Sequence, residues 1–78
     1  MSRTILFERV GRDKLTFEAD VLWIDDEPDF PAMVSAIKRR RALMSNDIDF
    51  GFDPDRPITE GGPIYAGGRS VGTWKVKP

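Results

Sequence analysis

The chain has 78 residues, with 12 Lys or Arg against 13 Asp or Glu, and it contains neither Cys nor His. That length holds one domain, residues 1–78, with one small core, and the composition removes disulfides and the usual zinc and haem ligands as means of bracing it. The imidazole general base and the thiol nucleophile are missing too, so the expectation is a non-enzymatic protein with no metal and no cofactor.

Thr4–Val10 is a short β-rich run, and Gly11-Arg12-Asp13-Lys14 follows it as turn material. Leu15, Phe17, Ala19, Val21 and Trp23 then alternate with Thr16, Glu18 and Asp20, the period of a strand with one buried face. The two runs make an antiparallel hairpin. Past Asp20 the alternation fails because Leu22 and Ile24 are also apolar. That end is covered on both faces, bulged, or presented to a partner.

Asp25-Asp26-Glu27-Pro28 breaks the strand, and the spacing predicts an amphipathic helix from about Asp29 towards Met44. At about 100° per residue, Phe30, Met33, Val34, Ile37 and Met44 share one stripe. Asp29 is placed to cap the first turn with its carboxylate, and Pro31 is tolerated just inside it. Lys38, Arg39, Arg40 and Arg41 suit the negative end of the helix dipole, and Ser45-Asn46 offers a stop. Arg41 falls on the apolar stripe, so either the helix frays before it or its stem lies along the core.

Asp47–Asp53 alternates again, with Ile48, Phe50 and Phe52 directed inward and Asp47, Asp49 and Asp53 outward. Pro54–Gly62 reads as a loop. Ile64-Tyr65-Ala66 and Arg69–Val76 form a last hairpin around Gly67-Gly68, because a two-residue turn needs positive φ. The expected fold is α+β: a small antiparallel sheet in the order β-β-α-β-β-β with the helix packed on one face. Phe7, Phe17, Trp23, Phe50, Phe52 and Trp74 supply the core.

Net charge is −1, yet it alternates in blocks: −4 over residues 1–29, +4 over 30–45, −4 over 46–62 and +3 over 63–78. Internal neutralisation is the plain consequence, and a polarised surface the sharper one. The acids of Asp47–Asp55 do not match an EF-hand loop in any register. Gly62–Ser70 is not a phosphate loop either, because its spacing is one residue long and Arg69 stands where Lys is required. Acids scattered over loops and a strand face do not build a glycosidase pair.

No residue pattern ties the chain to a family. The leading expectation is a protein-binding module whose Asp20, Asp25, Asp26, Glu27, Asp29, Asp47 and Asp49 meet a basic protein partner. Small inhibitors and adaptors of phages and mobile elements, anti-CRISPR proteins among them, share this size and nothing more specific. An alternative is nucleic-acid binding through Lys38, Arg39, Arg40, Lys75 and Lys77, although four consecutive helical cations circle the axis and do not form one face. A third is a structural subunit, such as a virion component, pairing through strand edges. No apolar run approaches a membrane span, and Met-Ser-Arg-Thr lacks a signal peptide's apolar middle. The expectation is a cytoplasmic monomer or small homo-oligomer with no membrane partner.

Overall fold

The first hairpin forms where the alternation requires it, from β1 (Ser2–Val10) and β2 (Leu15–Ile24), in a computed structural model that describes residues 1–77. Ile5 lies opposite Ala19 and Phe7 opposite Phe17, after which the register shifts and Val10 meets Leu15. Glu8 and Arg9 therefore face Thr16 alone, a bulge in which Arg9 takes φ 54° and its N–H donates to Thr16 Oγ1 at 3.3 Å. Such an insertion reverses the side-chain parity beyond it. Val10 is turned into the core at a place where unbroken alternation would have buried Arg9.

At the far end of β2 the acidic stretch does more than break the strand. Asp25 and Asp26 both hold positive φ, 52° and 67°, and return the chain into a two-residue strand, β3 (Glu27–Pro28), with Ile24 opposite Glu27. Positive φ at both central residues is the turn whose twist matches paired strands, and aspartate tolerates it better than most side chains. Proline ends β3 without leaving a ladder donor unused, as an edge strand allows.

The helix α1 (Phe30–Arg39) buries Met33, Ala36 and Ile37, with Phe30 and Val34 half-buried beside them. It is shorter than the periodicity suggested. Asp29 occupies the N-cap position, but its carboxylate makes no cap; its carbonyl oxygen accepts the amides of Ala32 at 3.0 Å and Met33 at 3.1 Å. At the other end Arg41 adopts φ 56°, its N–H donates to Lys38 O, and Ala42 N–H donates to Ile37 O at 3.2 Å. This pair of bonds is the Schellman motif, which absorbs the last free carbonyls and stops the helix whatever the side-chain pattern beyond. Arg41 is thus outside the helix, and Met44, expected on the apolar stripe, is 77% exposed.

The second half contributes β4 (Ile48–Phe50), a single 3₁₀ turn (Ile58–Glu60), β5 (Gly62–Ala66) and β6 (Arg69–Val76). The strand expected over Asp47–Asp53 is cut to three residues, and Phe52, expected inward, is 46% exposed. Gly67 and Gly68 make the last turn with φ 59° and 79°, as the composition required. Gly51 N–H bonds Pro63 O at 2.9 Å, and Gly51 O accepts the indole N–H of Trp74 at 3.0 Å.

The sheet has six antiparallel strands in the order β3-β2-β1-β6-β5-β4, one more than expected because β3 was hidden in the acidic break. In its middle Phe7 lies between Phe17 and Trp74, with the two phenyl rings 5.0 Å apart. Phe7 and Trp74 are fully buried, each contributing about 1.5–3 kcal/mol through area removed from water. Phe30 follows the strand at one edge, yet it stacks on Phe50 in the strand at the other, so the sheet curls round the helix face carrying the core. Among the described residues no helix is long and apolar enough to cross a membrane.

Candidate functional site: two charged ends

An antiparallel sheet collects its turns at two ends, and here the ends differ in charge. The turn Gly11–Lys14, the C-terminus of α1 and the β5–β6 turn gather at one. Gly11 N–H donates to Val71 O at 3.0 Å, a Cβ on Gly11 would collide with the carbonyl of Ala42, and Gly67 N–H donates to Asp47 O at 3.1 Å. These contacts draw together Arg9, Arg12, Lys14, the run Lys38–Arg41 and Arg69, with Asp13 and Asp47 as acids beside them, and among the described residues none of these cations joins an ion pair. The opposite end holds the Asp25-Asp26 turn, Glu27, Asp29 and the loop with Asp53, Asp55 and Glu60, where Arg56 pairs with Asp53 at 3.6 Å and with Glu60 at 3.9 Å.

Within the acidic end, the parity of β2 decides what reaches solvent. Val21 and Trp23 point into the core, so Asp20, Leu22 and Ile24 line the outer face, with Leu22 46% and Ile24 49% exposed. Leu22 lies opposite Ser2 and Ile24 opposite Glu27, small or polar neighbours that leave both apolar side chains uncovered. An open depression continues from Ile24 past Pro28 to Phe30 and Pro31, with Asp25, Glu27 and Asp29 on its walls. Of the three expectations for this strand end, burial on both faces is excluded by the exposure of Leu22 and Ile24, and the bulge of this hairpin lies at Phe7–Val10 instead.

The seven acids expected to meet a partner divide into three groups. Asp25, Asp26, Glu27 and Asp29 gather around this step, and among the described residues no hydrogen bond or ion pair engages their side chains. Asp20 adjoins them but accepts the hydroxyl of Thr4 at 2.8 Å. Asp47 and Asp49 lie on β4 or just before it, at the opposite edge, where the Asp49 carboxylate accepts Phe50 N–H at 2.9 Å and so occupies a backbone donor of the edge strand.

The five expected cations are not brought together. Lys75 pairs with Glu8 at 3.5 Å and Lys77 with Glu18 at 2.9 Å on the outer face of the sheet. Lys38, Arg39 and Arg40 end the helix that covers the inner face; Lys38 donates to Asn46 Oδ1, and the Arg40 guanidinium sits 5.4 Å over the Phe17 ring. Arg3 covers Trp23 in the same way at 4.9 Å, so these two cations shield core aromatics. The residues missed were Arg9, Arg12, Lys14 and Arg69. Their signal was position, since each sits in or beside a turn that an antiparallel sheet returns to the same end. Among the described residues no three metal-ligating side chains converge.

No family model, curated protein or solved structure matches this chain.

Proposed function

We propose that this protein is a non-catalytic binding module whose acidic end recognises a basic protein surface. The observation that carries this reading is the pairing of Leu22 and Ile24, each about half exposed, with the unpaired carboxylates of Asp25, Asp26 and Glu27. Interfaces draw affinity from an apolar centre and orientation from a charged rim, and this surface has both within one hairpin. A two-residue turn of this shape favours Asn-Gly, so two aspartates at positive φ retain charge at a conformational cost. The charged groups elsewhere on the sheet face, Glu8, Glu18, Lys75 and Lys77, neutralise one another and offer a partner little.

The test is affinity capture from the source lysate with wild type, Ile24→Asp and the neutralised Asp25→Asn/Asp26→Asn/Glu27→Gln variant. A specific protein retained by wild type and lost from both variants supports the reading. Retention of the same proteins by all three, or of none by wild type, overturns it. An inhibitor or adaptor role belongs to the same proposal and follows from the identity of the retained protein.

A further inference from the structure

We infer that the opposite, basic end is a second binding site, for the phosphate backbone of a nucleic acid. The helical cations alone point in several directions, and no groove meets them all. The fold changes this by setting Arg12 and Lys14 on the β1–β2 turn against the helix terminus, where the backbone of Gly11 approaches Ala42, and by placing Arg9 in the bulge next to them. Arg69 joins from the β5–β6 turn, which is tied to the Ala42–Asp47 loop through Gly67. Arg9, Arg12, Lys14, Arg39, Arg41 and Arg69 are all exposed, and among the described residues none is in an ion pair.

Two features select the ligand. Five of these six are arginines, whose planar fork matches phosphate oxygens in pairs. The exposed apolar side chains at this end, Met44 at 77% and Leu15 at 37%, stand on separate segments, among eight cations that join no ion pair among the described residues, so charge outweighs apolar area there. A polyphosphate backbone suits such a surface, because its affinity comes from released counterions. The acidic end of a second copy shares the charge of a phosphate chain, and the experiment separates the two.

The experiment is fluorescence anisotropy with labelled single-stranded DNA, RNA and duplex DNA of about 20 nucleotides per strand, titrated from about 50 to 200 mM salt. Wild type is expected to bind with log K falling against log salt at a slope of about −3 to −5, as four to six phosphate contacts require. The variant Arg12→Ser/Arg39→Ser/Arg41→Gly should bind at least about tenfold more weakly with a shallower slope, because it removes up to three contacts at exposed positions. Lys75→Ala/Lys77→Ala should bind as wild type does. Absence of binding at the lowest salt, or equal weakening by the two variants, overturns the inference. So does light scattering that shows head-to-tail growth of the protein without nucleic-acid binding, which would assign the basic end to a second copy. The nucleic-acid titrations do not bear on Leu22 and Ile24, so they judge the basic end separately; head-to-tail growth alone would involve both ends.

Discussion

Phe30 and Phe50 stack with 5.8 Å between ring centroids and 22° between planes, although one follows the strand at one edge of the sheet and the other belongs to the strand at the opposite edge. Phe30 also meets Phe52 at 6.5 Å and the edge of Trp74 at 6.4 Å. A single half-buried ring thus holds the curl that gives the chain two distinct ends.

Truncating that ring should be costly for a residue that is only half-buried. Phe30→Ala is expected to lower unfolding free energy by about 2 kcal/mol, below the 3–5 of a fully buried phenylalanine, as read by urea denaturation. A double-mutant cycle with Phe50→Ala should return a coupling of about 0.5–1.5 kcal/mol. Additive losses would mean that the two edges are held by something else.

Two glycines with nearly the same φ should respond very differently to a methyl group. Gly67 has φ 59° and open space around its Cβ direction, so Gly67→Ala should cost about 1 kcal/mol in left-handed strain alone. Gly61 has φ 69° and lies against the backbone of Trp74, where an added Cβ overlaps the carbonyl oxygen. Gly61→Ala should exceed the other by about 2 kcal/mol or leave the chain unfolded, as thermal denaturation by circular dichroism would show.

At Arg41 the opposite sign is expected. The Schellman motif needs a left-handed residue after the cap, and arginine holds φ 56° there with no hydrogen bond or ion pair to its side chain among the described residues. Arg41→Gly relieves about 1 kcal/mol of strain, so the midpoint temperature should rise by about 4–8 °C. A fall would mean that the Arg41 side chain supports the fold.

The ion pairs of the outer sheet face should matter little to stability. Lys77 and Glu18 meet at 2.9 Å, but their side chains are about half exposed, so water and salt screen them. Lys77→Ala is expected to change stability by less than about 1 kcal/mol, and the coupling with Glu18→Ala should shrink further at high salt. A coupling above about 2 kcal/mol that persists in salt would refute this.

Periodicity and turn chemistry alone determined much of this protein. The first hairpin, a helix seated on Met33 and Ile37, and the Gly67-Gly68 turn all follow from rules that act within a few residues, so local sequence suffices. Its failures were of two kinds. β3 and the end of α1 rest on aspartates and an arginine at positive φ, which most turns assign to glycine or asparagine; the residue types gave no sign of them. Met44 was misplaced because the helical period was carried past the stop at Arg41, and Phe52 because the alternation was carried past Phe50, where β4 ends.

Charge patterning was legible only as blocks along the chain. Whether Lys75 and Lys77 would join Arg39, or pair with Glu8 and Glu18, depended on which face of which strand each occupied. Tertiary structure decided that, since Coulomb interactions depend on distance in space and a curled antiparallel sheet brings Arg12 to Arg41 while sending Asp25 to the far end.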